Sequence, residues 1–586
     1  MKLKPRALWI VAGVTTGLLT LLWLGSRTAV RSSPTSVIVQ GKDTKSVGAL
    51  ILEVGGQVTH EFTIINAVAA DLTARQIEKL RESPAVSRIY ANRAVETAAK
   101  KTRSLDDMDP TMEPVPTVPA EVEPDPTPVV ASENHYPIRV GAHRLHEEGI
   151  TGYGVTVAVL DTGIYSQNYL LNNTSRSMRL VGHYDATTDA VIWFEPTDEN
   201  GHGSHVAGVA VNSSELDKTG FYKGIAPDAD LVAVKAFDAN GRGSYADVIR
   251  GIDWLVTHKD DYGIRVLNLS FSAEPRSRYW DDPLNQAVMA AWQAGIVVVV
   301  SAGNTGPEAM SIGVPGNVPY VITVGAMTDN YTPEDLSDDR LTSFSSAGPT
   351  KEAFVKPDLV APGGHLSSLM GQWMTISVDH PEFYYDGMYF TMSGTSQAAG
   401  VVTGIVALML QYSPWLTPDE VKYRLMASSH LAVDGEGSLA YSLFQQGAGL
   451  VDAYAAVYSE VDGRANQGLD VAKDLAGIEH YCGPARQDKK GNYTIEGLDG
   501  FLWNDAFLWN DGFLWNDAFL WNDAFLWNDA FLWNDAFLWN DAFLWNDAFL
   551  WNDGFLWNDA FLWNDSLLWS DGLTETMSIN VWVDQQ

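Results

Sequence analysis

The chain has 586 residues, enough for several domains and a large core. Its 73 acidic and 38 basic side chains give a formal charge of −35, which excludes the basic face that a nucleic-acid partner needs. A single cysteine, Cys482, excludes an intrachain disulfide.

The N-terminus, "MKLKPRALWIVAGVTTGLLTLLWLGS", sets Lys2, Lys4 and Arg6 ahead of an uncharged stretch from Ala7 to Gly25. That is an export segment over residues 1–33. It is long for a cleaved signal and almost long enough to span a bilayer, so secretion and anchoring by one N-terminal transmembrane helix both stand. The positive flank leaves the rest of the chain outside the cytoplasm.

From Ser36 to about residue 100, "SVIVQG" and "HEFTIINAVAADLT" alternate as strands do, and "ARQIEKLRES" has a helical pattern. Thr73 and Gln76 have the spacing of a capping box at the start of that helix. A small α+β domain of βαββαβ order is expected. Residues 101–133, rich in proline and acidic residues, read as an extended linker.

Between residues 134 and 459, "VTVAVLD", "ADLVAVKAFD", "RVLNLSFS", "IVVVVSAGN" and "YVITVGAM" are continuous apolar runs, typical of parallel strands buried on both faces. Helical stretches such as "YADVIRGIDWLVTH" and "PLNQAVMAAWQAG" lie between them, so the expected fold is α/β, a wound and mostly parallel sheet with flanking helices. Functional residues should gather at the C-terminal strand ends. A later helix opens with Thr417 as N-cap, Pro418 in the first turn and Glu420 closing the box.

Three motifs fit those strand ends. "VAVLDTGI" puts Asp161 at the end of a buried strand, "DENGHGSHVAG" sets His202 among glycines, and "MSGTSQAAG" sets Ser396 at a helix N-terminus, where its own N–H can help hold an oxyanion. A serine hydroxyl needs a histidine to take its proton, and the histidine needs a carboxylate to fix its tautomer. Asn304, in "VVVVSAGN", is a further candidate donor to the oxyanion. His205 reads as a packed helix residue, and His143 and His146 as a solvated helix face rather than a zinc site.

The order Asp, His, Asn, Ser, with "GYGVTVAVLDTGI", "GHGSHVAG", "GIAPDADLVAVKAF", "VVVSAGN", "KPDLVAPG" and "GTSQAAG", resembles the subtilisin-like serine proteases. The resemblance implies that Asp161 orients, His202 is base and then acid, Ser396 attacks, and Asn304 with the Ser396 N–H holds the oxyanion. It also implies a substrate-facing strand at Ser270, Phe271 and Ser272, where the family has Ser-Leu-Gly, with Ala302 and Gly303 beside it. Gln397, Gly400 and Val401 depart from the family's pattern behind the nucleophile. Protein or peptide substrates are implied, no cofactor is required for the chemistry, and a structural calcium site is left open. Residues 36–100 resemble the inhibitory propeptides of the same family, so the chain's own propeptide is its expected inhibitor.

After a second linker, expected over 460–500, "FLWND" recurs eleven times at a spacing of six residues over 501–572, followed by a tail over 573–586. An even period keeps Phe, Trp and Asp on one face of a strand, so a β-type repeat is expected. A rod attached to the cell envelope and a polysaccharide-binding comb of tryptophans are the two readings of this repeat.

Overall fold

The computed structural model describes residues 33–92, 136–193, 196–216, 221–332, 338–433, 439–487, 493–495 and 577–578. The export segment, the acidic linker and the hexapeptides lie outside them. Among the described residues, no helix is long and apolar enough to cross a membrane. The chain divides into two compact units.

The first unit has the expected βαββαβ order: β1 (Thr35–Gly41), α1 (Thr44–Glu53), β2 (Gln57–Phe62), β3 (Ala67–Leu72), α2 (Ala74–Arg81) and β4 (Val86–Ala91). Its strands lie in the order β2-β3-β1-β4, with β1 antiparallel to both β3 and β4. Val37 and Val39 of β1 share one face of the strand and meet Val47 and Ile51 of α1 and Leu80 of α2 in a single apolar cluster. Gln76 reaches back to the Thr73 N–H at 2.7 Å, the contact expected from their spacing.

The second unit is built on β5 (Thr156–Asp161), β6 (Leu180–Asp185), α3 (His202–Val211), β7 (Asp230–Lys235), α4 (Tyr245–Thr257), β8 (Ile264–Leu269), α5 (Pro283–Gln293), β9 (Val297–Ser301), β10 (Ile322–Thr328), β11 (Leu359–Pro362), α6 (Thr395–Tyr412) and α7 (Pro418–Ala427). The parallel strands run β10-β9-β8-β5-β7-β6, and β11 adds to β10. Short antiparallel strands, Arg340–Leu341 and Ala190–Val191, cover β10 and β6. From β5 the chain passes to β6, returns to β7, and only then crosses to β8 on the other side. The order therefore reverses around β5, and the carboxyl end of that strand is where a wound sheet of this kind is expected to form a crevice.

Helix α6 is buried from Thr395 to Leu410. Gly400 and Gly404 allow this: a Cβ would come within 3.1 Å of the Val206 carbonyl at the first and of the Ala210 carbonyl at the second, both on α3. Burial of Val401, Val402, Ile405, Val406, Leu408 and Met409 contributes on the order of 10 kcal/mol before chain entropy is set against it.

Packing continues past Ser459 into the stretch expected to be a linker. Val471–Leu475 is helical, Ala485–Gln487 pairs with Tyr493–Ile495, and Ala485 and Ile495 join Tyr423, Met426 and Phe444 in one apolar cluster. Asp474 explains why this stretch is fastened. Its buried carboxylate accepts from the hydroxyls of Tyr279 at 2.6 Å and Tyr320 at 2.9 Å and bonds His480 at 2.7 Å, and an acidic, polar sequence gave no sign of that.

Candidate active site

Asp161 ends β5, and His202 opens α3 after Gly201, whose φ of 107° a side chain would resist. His202 Nδ1 lies 2.7 Å from Asp161 Oδ1, which also accepts the Thr162 N–H at 2.7 Å. A carboxylate only accepts, so Nδ1 carries the hydrogen and the lone pair of the neutral ring is left on Nε2. Nε2 is buried without a protein partner, as is Asp161 Oδ2.

Ser396 is the second residue of α6, and its hydroxyl donates to the Ser270 carbonyl at 3.1 Å. Asn304 follows β9. Its Oδ1 accepts from the Thr395 N–H at 3.0 Å and the Thr395 hydroxyl at 2.8 Å, which turns the amide so that Nδ2 is buried with no partner. Gly394 makes room beside it: a Cβ there would stand 2.7 Å from Gln397 Oε1, 3.3 Å from Asn304 Nδ2 and 3.7 Å from the Ser396 nitrogen. The Asn304 amide nitrogen and the Ser396 nitrogen thus border one small space.

Ser270 and Phe271 follow β8 and are buried, and Ser272 begins the short strand Ser272–Ala273. Gly303 donates its N–H to the Thr395 hydroxyl at 3.2 Å, and the Ala302 N–H bonds the Val324 carbonyl. A Cβ on Gly303 would lie 3.1 Å from Ser272 Oγ, and one on Gly313 only 1.9 Å, so the Ser272 hydroxyl fills the space these two glycines leave. Every site residue expected from the sequence therefore falls at one end of the parallel sheet.

Two further residues shape the site without standing out in the sequence. One is Gly394. The other is Asp198, fully buried, whose Oδ1 accepts the N–H groups of Asn200 and Gly201 at 3.1 and 2.8 Å and whose Oδ2 accepts the N–H and hydroxyl of Ser204 at 2.9 and 2.6 Å. It ties down the turn that delivers His202. Burial pushes its carboxyl up, against the pull of these donors. The signal was the Asp-x-Asn-Gly run before the helix, which has the form of an Asx turn.

His205 is packed, as expected: Nε2 bonds the Phe390 carbonyl at 2.9 Å, and burial pushes the ring down to about 3. The solvated face expected of His143 and His146 is not what forms. His146 is buried, bonds the Ile225 carbonyl at 2.8 Å and has its pKa lowered by burial, while His143 meets Phe221 edge-on. The helix there, Ala142–Glu147, is too short for its period to reveal which side is covered. Among the described residues, no group of three His, Cys, Asp or Glu side chains could hold a metal ion.

Residues 152–449 match the family model described as the subtilase family, and residues 28–98 match that of peptidase inhibitor I9. The chain belongs to the subtilase family. It is 44% identical over 278 residues to serine protease AprX of Bacillus subtilis, an alignment that takes in 47% of this chain and 60% of that relative. It is 30% identical over 370 residues to a thermostable alkaline protease of Halalkalibacterium halodurans, covering 63% of this subtilase and 79% of the relative. The fold is also that of fervidolysin from Fervidobacterium pennivorans, with a TM-score of 0.54 at 23% identity over 75% of this chain and 63% of the other.

Proposed function

We propose that this subtilase is an exported serine endopeptidase that cuts proteins through an acyl-enzyme and is made as a self-processing zymogen, with its I9-type unit as inhibitor. Ser396 Oγ attacks the peptide carbonyl while His202 Nε2 takes its proton. Asp161 holds the ring in the tautomer that leaves Nε2 free and stabilises the imidazolium that forms. Asn304 Nδ2 and the Ser396 N–H receive the negative charge that develops on the carbonyl oxygen. His202 then returns the proton to the leaving amine, and water repeats the sequence to release the acyl group.

The observation that carries this reading is the Asp161–His202 contact at 2.7 Å, which leaves the unpaired ring nitrogen at Nε2. His202 Nε2 and Asn304 Nδ2 are unpaired although buried, and they are the base and the oxyanion donor that the reaction requires. Ser270, Phe271 and Ser272, with Ala302 and Gly303, serve as the backbone rail and pocket wall for the residue before the cut. The Ser272 hydroxyl narrows that pocket and favours small side chains. Export rests on the basic and apolar N-terminus, and the hexapeptides serve attachment to an envelope or a polysaccharide.

Labelling with a fluorophosphonate tests the reading. One adduct is expected, on Ser396, with hydrolysis of denatured casein lost in step and the precursor cut between about residues 96 and 134. An unlabelled Ser396 in a chain that still hydrolyses casein would refute it.

A further inference from the structure

Beyond residue 495, the described chain reappears only as a two-residue strand, Met577–Ser578, which pairs antiparallel with Ser272–Ala273, Ser578 opposite Ser272 and Met577 opposite Ala273. The opposite edge of Ala273 is already taken, because its N–H donates to the Val314 carbonyl at 2.9 Å and its carbonyl accepts the Val314 N–H at 2.7 Å. Backbone groups of successive residues in an extended chain point to opposite edges, so the groups of Ser272 face Ser578. The same alternation, two residues back, turns the Ser270 carbonyl to that edge. This is the carbonyl that receives the Ser396 hydroxyl at 3.1 Å. The C-terminal strand therefore runs along the edge on which the nucleophile lies.

The sequence of the segment suits the role. After the last hexapeptide, "TMSINVWV" alternates apolar Met577, Ile579, Val581 and Val583 with other residues and contains no proline, which is a strand pattern. Pairing through main-chain hydrogen bonds asks little of the side chains, so an added strand binds an open edge without a matched recognition sequence.

On the reading that the Ser270–Ser272 edge takes substrate backbone, we infer that the chain's own segment around Met577–Ser578 is an intramolecular occupant of that edge that competes with substrate. The inference rests on the peptidase reading. A tethered segment is present at an effective concentration on the order of 0.1–1 mM, enough to hold a weakly binding strand in place much of the time while yielding to a better substrate. Proteolysis is then restrained after the propeptide has gone.

The test compares the mature full chain with a chain ending at residue 574 and with Ser578→Pro, which removes a strand N–H. The intact mass of each is checked, and kinetics are read on a short chromogenic peptide. KM should fall about two- to tenfold in both altered chains with kcat unchanged, the signature of a lost competitor. In the Ser396→Ala background, amide exchange at Ser272, whose backbone groups face Ser578, should be slower with the C-terminal segment than without it. Equal KM values and equal exchange overturn the competition and leave the peptidase reading untouched. Hydrolysis absent from every chain that still carries Ser396 sinks the peptidase reading, and the competition with it.

Discussion

Two buried polar clusters in the second unit are built to opposite plans. At the end of β5, Asp161 Oδ2, His202 Nε2 and Asn304 Nδ2 are left without protein partners. Around Asp358, charged groups hold one another: Lys356 Nζ lies 2.6 Å from one carboxylate oxygen and Lys422 Nζ 3.0 Å from the other, an ion pair that leaves the second oxygen without a hydrogen bond, and the two ammonium groups also donate to the carbonyls of Val321 and Pro319. Burial of polar groups costs free energy in both places, but only the second cluster recovers it within the protein. An ion-paired network holds a fold together, whereas buried atoms with no protein partner are open to a reacting molecule.

The largest effect should come from the first cluster. Ser396→Ala should lower kcat by about a million-fold, the size of loss known for subtilisin itself, without lowering the melting temperature. A loss of stability of several kcal/mol would erase the contrast between the clusters. Asp358→Ala should do the reverse. It strands two buried ammonium groups and should cost about 3–5 kcal/mol in chemical denaturation, while kcat at low temperature stays near that of the parent.

Asn304→Ala should reduce kcat by roughly 100- to 1000-fold with little change in KM, again the magnitude known for subtilisin. An equal rise in KM instead would mean that the amide binds the ground state. The smallest effect concerns Glu352, fully buried, with Oε1 accepting the Tyr279 N–H at 3.2 Å and Oε2 unpaired. Burial pushes its carboxyl up to about 7 from the usual 4.5. The folded protein then holds a proton that the unfolded chain has released between those values, so stability falls as pH rises from 4.5 to 7. Glu352→Gln should remove up to about 3 kcal/mol of that fall, seen as a higher melting temperature at pH 8 and little change at pH 4.5. An equal gain at both pH values would show that the effect is one of packing.

The strands and the candidate site residues are legible in the sequence for a common physical reason. Parallel strands buried on both faces must be continuously apolar, and each of Asp161, His202, Asn304 and Ser396 lies beside glycines that let the backbone approach closely. Strand β6, "LVGHYD", near the sheet edge, is only half apolar and did not stand out. Asp198 was hidden because a buried carboxylate that binds backbone N–H groups looks, in a sequence, like any loop acid. Lys422 was hidden because a lysine within "TPDEVKYRLMASS" reads as a solvated helix residue, and its partner Asp358 lies far away in the chain. Asp474 and the Met577–Ser578 strand depend likewise on partners that no local pattern announces.

The placing of β5 also bears on how quickly this chain can reach its native state. Thr156 pairs with Asp230 on one side and with Ile264 on the other, the latter more than a hundred positions along the chain. Neither partnership gains anything until a long loop has closed, and the central strand must wait for both neighbours before the Asp161 carboxylate at its end has a home. The first unit pairs its strands over much shorter separations and can form sooner. Assembly of the middle of the sheet is therefore expected to be slow, and until it is complete the strand that carries Asp161 is an unpaired apolar segment that solvent, or another chain, can reach.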